Sequence, residues 1–160
     1  MSEDVASEVR RLLVKDIMVK DPLTVSSQRT VKEAALAMER SAVGCVLVTE
    51  DDREQKIVGI VTERDLVRRV LTKEGDVTRI MVKSIMSSPL IVIGPYATIE
   101  ETARVMERNG VRRLPVVDQA GLVGVVTVDD LAKALAKELE YSDAIFNAMA
   151  RMSAPKGLYT

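Results

Sequence analysis

The sequence predicts an α/β (α+β) fold: two β-α-β-β-α repeats packed sheet to sheet with pseudo-two-fold symmetry, flanked by an N-terminal and a C-terminal helix. Three observations lead there. The chain repeats itself at a nearly fixed offset, and internal self-similarity decides architecture before any local reading does. Within each copy the apolar period changes from that of a helix to that of a strand. The chain has 160 residues, 47% of them apolar and 29% charged, the range of a compact globular body. One copy is too short to bury both faces of a small sheet, so two copies sharing one core is the simplest stable arrangement.

Taken in order, Val5, Val9, Leu12 and Leu13 fall at helical spacing and predict an amphipathic helix over residues 1–13. The first repeat, 14–73, opens with Val14-Lys15-Asp16-Ile17-Met18, and the second, 82–137, opens with Val82-Lys83-Ser84-Ile85-Met86, the two isoleucines standing 68 positions apart. Each copy then reaches a proline and an apolar strand, Pro22-Leu23-Thr24-Val25 in the first and Pro89-Leu90-Ile91-Val92-Ile93 in the second, which carries one extra residue. A helix follows at Thr30 and again at Thr98. Thr30 with Glu33 and Thr98 with Glu101 have the spacing of capping boxes, and Val31, Ala34, Ala35 and Met38 form one apolar face. The β-rich runs Val43 to Val48 and Val111 to Val117 come next, and Pro115 implies a strand in which one N–H is not needed by a neighbour. After a polar connection, each copy closes with a strand that turns into a helix: Gly59-Ile60-Val61-Thr62-Glu63-Arg64-Asp65-Leu66 and Gly124-Val125-Val126-Thr127-Val128-Asp129-Asp130-Leu131. Residues 138–160 continue as a helix and tail. Leu131, Leu135, Leu139, Ile145, Phe146 and Met149 keep a helical pattern with a break at Ser142-Asp143, and fraying is expected from Ser153 to Thr160.

Composition excludes several functions. Lys+Arg 23 against Asp+Glu 24 gives a net charge of -1, with no global attraction to phosphate backbones or anionic lipid. Histidine is absent and Cys45 is the single cysteine, which removes His-based acid–base catalysis, structural zinc and any internal disulfide. No catalytic cofactor and no metal site are expected. The start lacks the pattern of a signal peptide and no run approaches the ~20 apolar residues of a membrane helix, so a soluble, cytoplasmic protein is expected. Aromatics make up 2% of the chain, leaving the core to Val, Ile, Leu, Met and Ala and little material for stacking bases.

The duplicated Thr-x-x-Asp, Thr62 with Asp65 and Thr127 with Asp130, carries the chemical question. As local structure it is a helix cap. Two features add a second reading. Gly59 and Gly124 each stand three residues ahead of the threonine, where glycine weakens a strand unless something approaches the backbone closely. The turn also offers a hydroxyl, a carboxylate and helix N-terminal N–H groups, suited to a phosphate and a ribose diol. Arg64 stands in the first turn of the first copy and Asp129 at the matching place in the second, so the two half-sites differ in charge. Arg112 and Arg113 open the strand where the first copy has Gly44 and Cys45, and adjacent strand residues point to opposite faces. Cys45 reads as a small core residue, and Met18, Met38, Met86 and Met106 as core filler. Neither G-x-G-x-x-G nor a P-loop motif is present.

The doubled Ile-Met…Pro…Val, the Thr-Val-Lys-Glu-Ala-Ala helix, Gly-Val-Arg-Arg-Leu-Pro-Val-Val-Asp, and the Gly-Ile-Val-Thr-Glu-Arg-Asp-Leu and Gly-Val-Val-Thr-Val-Asp-Asp-Leu turns together closely resemble a tandem CBS-domain (cystathionine β-synthase domain) pair, over about Val14 to Leu135. The resemblance implies a regulatory module that binds adenosine-containing ligands in two clefts between paired repeats: AMP, ADP or ATP, or in some members S-adenosylmethionine or NAD. By it, Asp65 and Asp130 would hold ribose and Thr62 and Thr127 would lie near ribose or phosphate. Arg112 and Arg113 would contact phosphate with Arg64 as a helper, and Asp129 would stand at the matching place beside the second ribose/phosphate site. It also implies an adenine slot with Met18 and Leu23 facing the Thr127/Asp130 site, Met86 and Ile91 facing the Thr62/Asp65 site, and Val43, Gly44, Cys45 and Val111 nearby. A homodimer is expected, and with no further domain expected in the chain, the output is expected through a protein partner in trans.

Three other classes compete. A nucleotide hydrolase using Asp65 or Asp130 lacks histidine and clustered carboxylates. A nucleic-acid-associated regulator would use Arg104, Arg108, Arg112 and Arg113 and show steep salt dependence. A dimerisation scaffold would use Thr-x-x-Asp for capping alone.

Overall fold

Thr30 and Thr98 each begin a helix as their Thr-x-x-Glu spacing predicts. The Glu33 N–H donates to the Thr30 hydroxyl at 3.2 Å and the Thr30 N–H donates to the Glu33 carboxylate at 2.8 Å. Thr98 and Glu101 repeat the exchange at 3.1 and 2.8 Å, so two otherwise orphaned N–H groups are satisfied at each start. The structure, a computed structural model, describes residues 12–53 and 56–138. In chain order it contains α1 (Val14–Ile17), β1 (Val19–Lys20), β2 (Thr24–Ser26), α2 (Val31–Ser41), β3 (Cys45–Thr49), β4 (Ile57–Thr62) and α3 (Glu63–Leu66), which runs into a π-helical turn (Val67–Leu71). A 3-10 turn (Val82–Ser84), α4 (Ile99–Asn109), β5 (Arg113–Asp118), β6 (Gly121–Thr127) and α5 (Val128–Glu138) complete it. The mixed α+β fold expected from the sequence is present.

Space groups these elements differently from the repeat. Among the described residues, 22–90 form one unit and 12–21 with 91–138 form the other. The segment that leads into each sequence copy is therefore built into the sheet of the other copy. In the second unit Val14 and Lys15 donate N–H groups to the carbonyls of Ala97 and Pro95, both at 2.9 Å, and β1 pairs antiparallel with β6, Val19 opposite Val125. In the first unit the residues 68 positions away do the same. Val82 and Lys83 donate to Arg29 and Ser27 at 2.8 and 3.1 Å, and Ser87 exchanges both backbone hydrogen bonds with Ile60.

Each unit has a three-stranded sheet, β2-β3-β4 in one and β1-β6-β5 in the other. Strands β3 and β4, like β5 and β6, pair antiparallel, while β2 runs parallel to β3. The strand expected at Pro89 to Ile93 is reduced to one parallel bridge between Ile93 and Val116. Pro115 is the reason. In the first unit the Leu47 N–H donates to the Leu23 carbonyl and lengthens the ladder. Pro115 holds the place of Leu47 and has no N–H to give to Ile91, the residue matching Leu23.

The core of the first unit is Val31, Ala34, Met38, Val46, Val48, Val61, Val70, Val82 and Ile85. That of the second is Val14, Ile99, Met106, Leu114, Val116, Val126, Leu131 and Ala134. Both are aliphatic, as the composition requires, and Tyr96 is exposed with Lys15 Nζ 5.1 Å from its ring centroid. Leu12 is not helical and Leu13 bridges Thr98; Val5, Val9 and the rest of the helix expected over 1–13 lie outside the described residues. So do Leu139, Ile145, Phe146, Met149, the break at Ser142-Asp143 and the tail from Ser153. No helix of the described residues is long and apolar enough to cross a membrane.

Candidate functional site

Each closing strand delivers its threonine to the start of a helix, and the box closes in the same way in both copies. In the first, the Thr62 N–H and hydroxyl both donate to Asp65 Oδ2 at 2.9 Å, and the Asp65 N–H returns to the Thr62 hydroxyl at 3.2 Å. In the second, the Thr127 N–H and hydroxyl donate to Asp130 Oδ2 at 2.8 Å, and the Asp130 N–H returns at 3.2 Å. Capping is thus a full local explanation of the motif. It consumes only Oδ2 of each carboxylate. A second clasp holds the turn: the Glu63 N–H donates to the Gly44 carbonyl at 3.1 Å and the Val128 N–H to the Arg112 carbonyl at 2.9 Å.

The strand register decides which side chains stand beside each box. Cys45 lies opposite Thr62, and Arg113 lies opposite Thr127. Directly opposed residues share a face with Cβ atoms about 5 Å apart, so a cysteine flanks one threonine and an arginine the other. Arg113 is partly buried, whereas Arg112, just ahead of the strand, is exposed; the two separate as the alternation of a strand requires. Arg64 and Asp129 are both exposed in the first turns of their helices. None of Arg64, Arg112 and Arg113 has an ion-pair partner among the described residues. Arg104 is paired with Glu100 at 2.6 Å, so the basic cluster has one member already neutralised.

The glycines have a neighbour, and it is the chain itself. A Cβ on Gly59 would meet Met86 Sδ at 2.5 Å, and a Cβ on Gly124 would meet Met18 Sδ at 2.7 Å and the Val19 carbonyl oxygen at 2.8 Å. The close approach expected from glycine in a β-branched strand is real, but here the lead-in methionines satisfy it. Met18 thereby lies on the strand that ends at Thr127, and Met86 on the strand that ends at Thr62. Leu23 and Ile91 stay with their own sequence copies. Leu23 packs with the core of the unit holding Thr62 and Asp65, and Ile91 with the core of the unit holding Thr127 and Asp130. The reason is the point of exchange: the chain leaves one unit at Asp21 and the other at Leu90, so residues beyond those points stay with their own copy. Val43 and Val111 follow α2 and α4, each donating its N–H to a helix carbonyl, Met38 or Met106, and Val111 packs on the second core.

Arg69 is the residue that the sequence reading passed over. Its Nε lies 3.7 Å from Asp65 Oδ1, and its NH1 donates to the Ile85 carbonyl at 2.6 Å. The signal was available, since an aspartate and an arginine four apart on a helix are neighbours. Among the described residues no group of three or more His, Cys, Asp and Glu side chains could hold a metal ion.

A profile of the CBS domain matches residues 14–72 and 82–137. The chain is 37% identical over 119 residues to the CBS domain-containing protein YhcV of Bacillus subtilis, covering 74% of this chain and 82% of that protein. It is 33% identical over 124 residues to protein MK0525 of Methanopyrus kandleri, covering 77% of this chain but 62% of that longer relative. Among solved structures, the CBS domain pair of protein MJ0100, in complex with 5'-methylthioadenosine and S-adenosyl-L-methionine, superposes with a TM-score of 0.67 at 27% identity, over 76% of this chain and 98% of that one.

Proposed function

Because the chain belongs to the CBS-domain proteins, whose paired domains are regulatory ligand-binding modules, we propose that it is a sensor of an adenosine-containing nucleotide, AMP, ADP or ATP, that signals to a protein partner in trans. The observation that carries this reading is the duplicated box, which in the second copy leaves a carboxylate oxygen to spare. A helix cap needs one oxygen of Asp130, and Oδ1 has no partner among the described residues. A ribose diol asks for such an acceptor, and an attached phosphate for a hydroxyl and a cation, which Thr127 and the neighbouring strand's Arg113 offer. The complex formed by the similar MJ0100 pair supports an adenosine moiety and keeps S-adenosylmethionine, with NAD, as the alternative ligand. The role is binding and not turnover, in a homodimer in the cytoplasm. For binding to signal, the nucleotide must prefer one arrangement of the protein over another.

Calorimetric titration with AMP, ADP, ATP, S-adenosylmethionine and NAD tests the reading, on the native chain and on Asp65→Asn and Asp130→Asn, which keep the size of the cap. Saturable binding of one compound is expected, weakened tenfold or more by at least one variant. Ligand at one hundred times Kd should also stabilise the fold by about 2.7 kcal/mol. No heat and no rise in Tm with any of the five would return both boxes to capping and favour a dimerisation scaffold.

A further inference from the structure

Asp65 and Asp130 close identical boxes, yet their remaining oxygens meet different surroundings. Asp65 Oδ1 is next to Arg69 Nε at 3.7 Å, and the same guanidinium is fixed by donating to the Ile85 carbonyl at 2.6 Å. Ile85 is buried in the core of that unit and stands next to Met86, which lies on Gly59. At the matching place after Asp130 the chain has Ala134, buried in the core of its own unit, and Asp130 Oδ1 has no counterpart of Arg69 among the described residues. The strand beside each box is also unequal, with Arg113 opposite Thr127 and Cys45 opposite Thr62.

We propose that Arg69 is a specificity-determining residue that keeps the Asp65 half-site closed, so that an adenosine compound fills the Asp130 half-site first and reaches Asp65 only when Arg69 lets go. The inference rests on the nucleotide reading above and assigns its occupancy. A ribose diol at Asp65 must replace a cation already held by a second, partly buried hydrogen bond. At Asp130 it meets an oxygen without a partner among the described residues, and Arg113, on the paired strand opposite Thr127, offers a cation to an attached phosphate.

The test is calorimetry of the full chain with AMP and, separately, with S-adenosylmethionine, which share adenine and ribose and differ in the phosphate. One ligand per native chain is expected, retained in Asp65→Asn and lost in Asp130→Asn. Arg69→Ala carries the residue that the second copy uses at this place, and Arg69→Met keeps an aliphatic stem. Both variants should raise the stoichiometry to two, or tighten a weak second site about tenfold or more. The proposal is overturned by two equal sites in the native chain, by loss of binding in Asp65→Asn with retention in Asp130→Asn, or by native stoichiometry in folded Arg69 variants. Those results leave the nucleotide reading standing. Absence of binding by every folded form overturns both.

Discussion

Gly124 sits beneath two residues of the chain's own lead-in segment, one of them through a backbone oxygen, while the atoms nearest above Gly59 all belong to the Met86 side chain. That difference orders two substitutions that look equivalent in sequence. In Gly59→Ala the flexible Met86 thioether can swing aside, whereas in Gly124→Ala the Val19 carbonyl, held in the β1–β6 pairing, cannot move without disturbing the sheet. Gly124→Ala is therefore expected to cost on the order of 1–3 kcal/mol, the usual range for overpacking, and Gly59→Ala less. Urea unfolding of the two variants checks this, and equal losses would mean that the lead-in backbone yields as readily as a side chain. The glycine spacing was legible before the fold was known; the identity of the neighbour was not, because a glycine reports that something is close and not what. Arg69 shows the converse. Its pairing with Asp65 follows from i,i+4 geometry, but its second bond, to Ile85, joins residues 16 apart and exists only once the lead-in segment is docked.

At the scale of elements, the capping boxes tie helix stability to pH. The Glu33 and Glu101 carboxylates accept the backbone N–H of Thr30 and Thr98 above all, and then the threonine hydroxyl, which holds both below the ordinary value of 4.5. A carboxylate with a lowered folded-state pKa contributes stability that is complete above the unfolded value and is lost as pH falls through the folded one. Acidification from about pH 6 to about pH 3 should therefore weaken the native chain more than Glu33→Gln or Glu101→Gln, measured as the change in Tm. Parallel curves would show that the boxes do not contribute. These helices were readable from Thr-x-x-Glu and one apolar face because both signals are local. The strand at Ile91 to Ile93 was not, since the apolar run there is as β-rich as its counterpart at Leu23. What shortens it is Pro115, a residue on the neighbouring strand.

For the molecule as a whole, the exchange of lead-in segments decides which part of the chain each residue supports. Met18 belongs by sequence to the first copy but packs on Gly124 and the core that contains Leu114 and Val126. Met86 belongs to the second copy but packs on Gly59 and the core that contains Val46 and Val61. Met18→Ala should therefore lower hydrogen-exchange protection in β5 and β6, and Met86→Ala in β3 and β4, with losses on the order of 2 kcal/mol. Protection lost within the mutated residue's own sequence copy instead would contradict the exchanged arrangement. Because the lead-in segment carries the methionine that lies on the strand ending in each Thr-x-x-Asp box, the candidate half-sites are assembled from both copies. A single repeat would lack that cover.

The duplication, the helix starts at Thr30 and Thr98, the aliphatic core and the two Thr-x-x-Asp boxes were legible along the chain, since each shows in self-similarity, in residues within a few positions or in composition. Long-range packing was needed to bring residues 12–21 into the second unit, to lay Met86 and Met18 on the Gly59 and Gly124 strands, and to set Arg69 beside one carboxylate while Asp130 Oδ1 has no partner among the described residues. Those features depend on segments far apart in the chain meeting across a sheet. A repeat of nearly equal copies leaves either copy able to receive a given lead-in segment, so periodicity names the partners without saying which one is taken.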